Sequence, residues 1–483
     1  MPSLKKNIFY QNAYQVITTL LPMITVPYVT RVLGAENIGI YSYTFSITTF
    51  FVIFAMLGIN IHGSRAIAMV RDNKKELNKT FSDLFFLHLG VSLLVLLAYI
   101  IFLVFIANEF HFIFTILIFH IIAALLNITW FFTGIEEFKL MVTRNTAIRI
   151  IITACVFIFV KNSDDLRFYT FIFAFGEFVS QAILWFFKKK FVSLVKPTLS
   201  GIKSHIKPIF ILFVSVISVS VYHQLNKVIL GSMSDKVQLG YFEISMSLIS
   251  VFLGFIYAFN GAVLPRISNI TANKENSESA NYIIFISMKY LMFGSFALAF
   301  GLAGVSNNFV PLFLGAEFID SKTLVSVLCI TIPLCAFQNT LNVQYIIVNS
   351  KDKILAITTI AGALVNIVIN LILIPVLQAM GAVVGMIAVN VVQCIIFSLV
   401  ARKELPIRVY IKNSIFFIIT GFVMFLLVRF IGEFMAQNII SLLIQIGVGA
   451  LFYISASSGY LYVTKDEFFI NNINKFIKII GRK

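Results

Sequence analysis

The sequence predicts an all-α, polytopic membrane protein with about 14 transmembrane helices. Of the 483 residues, 59% are hydrophobic and 12% are charged, and the mean hydropathy is +0.95. A soluble core formed by a chain of this length could not bury so much apolar surface. Runs of about twenty apolar residues, long enough to cross a bilayer as a helix, recur along the chain. The runs do not alternate with polar residues, which excludes a barrel.

The first element is a pair of long apolar spans joined by a short polar turn at 35–37. Pro22 and Pro27 should bend the first of them, because each removes a backbone donor. Twelve further spans follow at intervals that leave only short connections. The predicted spans are 8–33, 38–62, 80–107, 111–134, 140–161, 166–187, 208–232, 238–265, 281–305, 322–348, 353–374, 381–402, 411–430 and 438–463.

Basic residues are distributed unevenly between the connections. With the N-terminus assigned to the cytoplasm, 29 of the 37 lysines and arginines fall in cytoplasmic segments, seven fall on the opposite side, and Lys289 lies inside a span. This bias predicts that both termini are cytoplasmic in a multi-pass protein. An anionic inner leaflet accounts for the net charge of +16, so membrane lipids are the expected partners and nucleic acid is not.

An internal repeat divides the chain. At a shift of 201 residues, Gly39 aligns with Gly240, Ser46 with Ser247, and Phe51 with Phe252. The longest basic connection, 188–208, falls between spans six and seven. We therefore predict two six-helix lobes, at 1–200 and 201–405, and two extra helices with a cytoplasmic tail at 406–483. Because each lobe has an even number of spans, the pseudo-twofold axis should run along the membrane normal.

Cations inside spans are the candidate site, because charges in lipid are costly and mark substrate paths. Repeat-equivalent cations would face each other across a central cavity and suit a pyrophosphate, although those near span ends could instead extend to headgroups. Four are predicted to line the cavity, and the repeat pairs Arg31 with Lys227 and His88 with Lys289. Arg65 and Arg266 are predicted at its cytoplasmic mouth.

Arg149 and Glu177 are predicted to lie at similar depth in spans five and six. They are either a structural ion pair of the first lobe or part of a proton or sodium switch. The four cysteines fall inside apolar spans without metal spacing, so neither a metal site nor a cofactor is expected.

Three segments carry a resemblance to a known family: PYVTRVLGAENIGIYSY (27–43), GINIHGSRAIAMVRD (58–72) and NITWFFTGIEEFK (127–139). The chain resembles the polysaccharide transporter family of the multidrug/oligosaccharidyl-lipid/polysaccharide exporter superfamily. The resemblance implies a two-lobed flippase of the bacterial cytoplasmic membrane. Such a flippase moves undecaprenyl-pyrophosphate-linked oligosaccharide repeat units from the inner to the outer leaflet by alternating access, for surface polysaccharide assembly. Polysaccharide polymerase machinery is then an expected partner.

Other functions stay open at this stage. A cation-coupled multidrug exporter of the same superfamily should have an acidic cavity, whereas the ionisable residues here are mostly basic. A flippase for a lipid-linked peptidoglycan precursor is a close sibling of the leading hypothesis. A membrane polysaccharide polymerase, which would be an enzyme, is expected to carry a long outer loop with arginines. The sequence has neither such a loop nor a phosphate-binding Walker motif, which favours a transporter.

Overall fold

The computed structural model describes residues 4–272 and 277–471. Within those ranges the chain is helical and contains no strand. The helices are α1 Leu4–Met56, α2 Ile59–Val70, α3 Lys74–Phe105, α4 His111–Ile116, α5 Ile118–Leu125, α6 Thr129–Gly134, α7 Phe138–Phe159, α8 Leu166–Lys188, α9 Leu199–Met233, α10 Lys236–Ala272, α11 Ser277–Leu314, α12 Ser321–Leu328, α13 Thr331–Leu341, α14 Asp352–Leu377, α15 Ala379–Ala401, α16 Ile407–Glu433 and α17 Ile439–Val463.

The predicted all-α membrane fold is confirmed. Twelve described helical stretches are long and apolar enough to cross a bilayer. The first of these, Leu21–Val70, contains the second predicted span and the second half of the first, and α9 contains the seventh. The two N-terminal spans meet at Gly34, whose φ of 76° lies in the left-handed region that glycine adopts without a steric penalty. The short polar turn expected at this point is therefore a break inside α1.

Two predicted spans are not single helices. The fourth is divided into α4, α5 and α6, and at the second break the side chain of Asn127 accepts a hydrogen bond from the backbone N–H of Thr129 at 2.9 Å. The tenth is divided into α12, α13 and a π-helical turn, Asn342–Ile347. Local polar capping and a widened turn are compatible with apolar runs, so hydropathy alone does not show these breaks.

The described chain forms two compact units, which meet in sequence between Glu243 and Ile244. In the first, α1 packs against α3, α5, α7 and α9, and an aromatic core includes Phe81, Trp130 and Phe131. In the second, α14 packs on α15, and α11 packs against α13, α16 and α17. Because α9 packs along α1, the first unit extends past residue 200; the predicted lobes of the repeat stay a prediction.

Candidate functional site

A three-residue polar network joins α1, α9 and the start of α10. The Lys227 ammonium lies 2.7 Å from Oε2 of Glu243, and the Ser42 hydroxyl donates to the same oxygen at 2.7 Å. The side chains of Lys227 and Glu243 are 22% and 29% exposed, and Ser42 is buried. A carboxylate that accepts from both an ammonium and a hydroxyl makes strong charge-assisted bonds in a water-poor setting.

The backbones of α1 and α10 come into direct contact beside this network. A Cβ atom on Gly39 would lie 1.7 Å from the carbonyl oxygen of Lys236, and one on Gly240 would lie 2.0 Å from that of Ala35. No side chain fits there without moving backbone, so glycine is required on both helices for this approach. The contact lies just after the Gly34 break in the middle of α1, at the turn that the charge bias predicts to face outward.

The contact pairs residues that the repeat makes equivalent. Ser42 and Glu243 are 201 residues apart, and so are Gly39 and Gly240, whose backbones meet. In an arrangement with twofold symmetry, a residue contacts its own equivalent only near the axis. The twofold relation of the two lobes itself stays a prediction.

Aromatic side chains flank the network within the first unit. Tyr41 packs edge-on against Tyr169, with ring centroids 5.0 Å apart, and Tyr169 packs against Phe173 at 4.8 Å. The Tyr41 ring also stacks on Phe45 at 5.5 Å. Such a wall offers flat apolar faces to a sugar ring or to a lipid chain.

Of the other cations predicted in the cavity or at its mouth, Arg31 is exposed and donates to the carbonyl oxygen of Pro27 at 2.8 Å. Arg65 on α2 and Arg266 on α10 are both exposed. His88 is only 2% exposed, and neither ring nitrogen has a hydrogen-bond partner among the described residues. Three of these four cations are thus exposed and His88 is buried. Their roles in substrate binding stay predictions.

Lys289 is held by the segment that follows α17. Its ammonium lies 2.5 Å from Oδ2 of Asp466, and both side chains are 11% exposed. The Tyr290 hydroxyl donates to Oδ1 of the same carboxylate at 2.9 Å, and the ring of Phe468 packs on Tyr290. Lys289 thus binds an anion in this conformation, and that anion is supplied by the chain itself.

We expect the Asp466 contacts to make stability depend on pH. Burial raises the pKa of the Asp466 carboxyl, but hydrogen bonds from Lys289, the Phe469 backbone and Tyr290 outweigh it and lower the pKa overall. The stabilisation is therefore present above the ordinary aspartate pKa of about 3.9 and is lost as the pH falls through the lower folded value. At pH 7 the native chain should melt at a higher temperature than the Asp466→Asn variant. The two melting temperatures should converge below about pH 4. A gap that does not depend on pH would contradict this.

The Arg149–Glu177 pair predicted from sequence is not among the ion pairs found between described residues. Glu177 accepts a hydrogen bond from Gln181 at 2.8 Å. Arg149 is exposed on α7. Both proposed roles for the two residues, structural pair and coupling switch, stay predictions.

Arg144 is a buried cation that the sequence analysis did not select. It is 8% exposed, and it donates to the Ser180 carbonyl oxygen at 3.0 Å and to Oδ1 of Asn145. These bonds connect α7 to α8 within the first unit. In the sequence Arg144 is one of the cytoplasmic basic residues, and no pattern there distinguishes it from Arg149.

A chain of side-chain amides lies inside the second unit. Asn260 donates to Asn339 at 2.9 Å and accepts from Gln344 at 2.7 Å. Gln344 lies in the π-helical turn, and both Asn260 and Gln344 are fully buried. These amide bonds connect α10 to α13 and to the π-helical turn, as polar side chains commonly do between membrane helices. No cluster of metal-ligating side chains occurs among the described residues.

Comparisons with known proteins agree with this architecture. A family model described as "Polysaccharide biosynthesis protein" matches residues 4–271. A protein of Escherichia coli (strain K12), named as an O-antigen transporter, is 25% identical over 407 residues, which are 82% of this chain and 95% of that protein. A protein of the same name from Shigella dysenteriae is 24% identical over 404 residues, covering 83% of this chain and 100% of the relative.

Solved structures extend the likeness to the fold. The structure "Lipid II flippase MurJ, inward closed conformation" matches with a TM-score of 0.77 and 16% identity, covering 95% of this chain and 99% of that chain. At that identity the likeness shows a common fold. The family match extends over more than half of the 483 residues. The chain therefore belongs to the polysaccharide biosynthesis protein family.

Proposed function

We propose that the chain is a transporter that flips undecaprenyl-pyrophosphate-linked oligosaccharide repeat units from the inner to the outer leaflet of the bacterial cytoplasmic membrane, for surface polysaccharide assembly. The family match, the names of the two relatives and the fold shared with a lipid-linked precursor flippase support the substrate class. The observation that carries the proposal is the contact of Ser42 with its repeat equivalent Glu243, made around the Lys227 ammonium.

The chemistry of this contact suggests how binding and closure are linked. In the described conformation the positive charge of Lys227 is neutralised by Glu243 at 2.7 Å. A pyrophosphate carries more negative charge than one carboxylate, so it would compete for the same ammonium. In the proposed cycle, Lys227 pairs with Glu243 when the outward side is closed, and it is available to substrate when that side opens. Arg31, its repeat equivalent, would supply the matching cation from α1.

Coupling to an ion gradient would act on the same carboxylate. A proton or a sodium ion on Glu243 would weaken its pairing with Lys227 and favour opening of the contact. No cofactor is needed for this cycle. Polymerase machinery that accepts the flipped repeat unit is the proposed protein partner.

Reconstituted liposomes test the function directly. The purified chain should move a fluorescently labelled undecaprenyl-pyrophosphate oligosaccharide between leaflets, measured as the fraction accessible to an external quencher. Cationic drugs loaded in the same liposomes should not be moved. Transport of the drugs without transport of the glycolipid would replace this proposal with the multidrug exporter. Loss of both activities in a folded preparation would also reject it.

The Glu243→Gln variant should flip the glycolipid about tenfold more slowly, because a charge-assisted bond is worth about 1.5–3 kcal/mol and Lys227 would lose its counter-charge. Lys227→Ala combined with Glu243→Gln removes both charges and should regain stability but not transport. Glu109→Gln, the same substitution at an exposed carboxylate in the connection between α3 and α4, is the matched control and should flip at the native rate. Native rates for the double variant would show that Lys227 has no part in substrate binding.

A further inference from the structure

An apolar groove on the second unit has two arginines at one end. Its cavity volume is about 550 Å³, and its walls come from α11, α13, α15 and α16. Large side chains on these walls are about half exposed, including Ile330, Leu399 and Ile411. Arg402 and Arg408 complete the lining at the end formed by the α15–α16 connection.

A second cavity, of about 400 Å³, lies next to the groove. The two cavities share Phe296, Ile330 and Pro333 in their walls, so they are adjacent. The lining of the second cavity extends along α16 to Phe425 and contains no charged side chain. Charge is thus confined to the end that holds the two arginines.

The dimensions match one leaflet. Along α16 the first cavity extends from Arg408 to Ile418, ten residues, which corresponds to ~15 Å at ~1.5 Å per residue. The hydrocarbon core of a bilayer is ~30 Å thick, so this length is about that of one acyl chain. The arginines would then lie at the headgroup level of the leaflet that the charge bias assigns to the cytoplasm.

The arginines keep their charge available to a ligand. None of the ion pairs found among the described residues uses Arg402 or Arg408. The one carboxylate in their connection, Glu404, is paired with Lys351 at 3.1 Å. Both arginines are exposed. A guanidinium next to an apolar channel is complementary to a phosphate that carries a hydrocarbon chain, because it can make two parallel bonds to the phosphate oxygens.

We propose that this groove is a binding site for an anionic membrane phospholipid, with one acyl chain between α11, α13, α15 and α16 and its phosphate on Arg402 and Arg408. The inference concerns a lipid that stays with the protein, and it is independent of which glycolipid the chain transports. Basic pockets between transmembrane helices on the cytoplasmic side select anionic headgroups in this way. Zwitterionic lipids offer the same chain but lack the net charge.

The test uses a tryptophan reporter in the full chain. Ile411→Trp places an indole in the groove wall, whereas the two native tryptophans, Trp130 and Trp185, lie in the first unit and give a background measured without the reporter. Nanodiscs with increasing fractions of chain-brominated phosphatidylglycerol or phosphatidylcholine then report occupancy by quenching. Phosphatidylglycerol should reach half-quenching at a fraction about tenfold lower, as expected for two cations near an anionic headgroup.

A matched pair of variants separates the groove from general surface charge. Arg402→Gln with Arg408→Gln should abolish the preference for phosphatidylglycerol. Lys403→Gln with Lys412→Gln removes two exposed charges from the same region without touching the groove lining, and should retain the preference. Equal quenching by both lipids in the native chain, or a preference that survives the double arginine substitution, would overturn the proposal.

Two competitors identify the occupant. Soluble glycerophosphate carries the headgroup charge without a chain, so it should not displace brominated phosphatidylglycerol. If it does, the arginines bind phosphate alone and the groove is not a lipid site. A long-chain polyprenyl phosphate that displaces phosphatidylglycerol at a much lower fraction would assign the groove to the transported lipid instead, and would overturn the phospholipid assignment.

Discussion

Gly240→Ala is expected to reduce glycolipid flipping by about 5–150-fold while the protein remains folded in the membrane. The added Cβ would lie 2.0 Å from the carbonyl oxygen of Ala35, which is backbone and cannot rotate away. Forcing atoms into a filled space costs about 1–3 kcal/mol, so the contact between α1 and α10 should open. Gly39→Ala should act in the same way, because its Cβ would lie 1.7 Å from the Lys236 carbonyl oxygen.

A control on the same helix separates this contact from effects on helix propensity. Nothing lies within 4 Å of a Cβ on Gly254, so Gly254→Ala should flip at the native rate and be slightly more stable. The opening itself can be followed with Ser42→Cys in a chain whose four native cysteines are replaced. The introduced thiol should be protected in the native background and should react with a membrane-impermeant maleimide when Gly240→Ala is present. Normal flipping with a protected thiol would contradict the predicted closure.

Lys289→Ala is expected to abolish polymer export, but the structure gives two physical reasons for that result. One is loss of a cation for the substrate, as the sequence predicts. The other is that Asp466 would be left as an almost buried charge without its partner, which typically costs about 3–5 kcal/mol. The single substitution cannot distinguish these two reasons, because both predict a cell that exports no polymer.

The double variant Lys289→Ala with Asp466→Asn distinguishes these reasons, since it removes the pair without leaving a buried charge. We expect it to be present in the membrane at native levels, to melt within a few degrees of the native chain, and to fail in export. Asp466→Asn alone keeps the ammonium but removes its carboxylate partner, so it should be less stable than the native chain and still export polymer. Lys289→Arg should retain partial function. Export by the double variant would show that Lys289 serves only to hold the segment after α17.

The pairing of Lys289 with Asp466 bears on the predicted substrate site. A lysine inside a span suggested a ligand that arrives from outside the protein. The structure supplies a carboxylate from a region 177 residues away in sequence. If the substrate also binds Lys289, the Asp466 carboxylate must first separate from the ammonium. The segment after α17 would then compete with the substrate for Lys289.

The sequence by itself determined the class of this protein and the location of its membrane spans. Hydropathy is a property of each segment, and a helix in lipid satisfies its own backbone hydrogen bonds, so span assignment needs no knowledge of neighbours. The repeat offset of 201 is also readable, and it aligns Gly39 with Gly240, whose backbones come into contact in the structure.

Only the tertiary structure decided which ions pair and which cations are buried. Lys227 meets Glu243, Lys289 meets Asp466, and Arg144 rather than Arg149 is buried between helices. Partner choice depends on helix rotation and on contacts between segments far apart in sequence, and a shift of one residue turns a side chain by about 100° around its helix. Charge and depth can be read along one chain, whereas the direction of a side chain is fixed by the helices that pack against it.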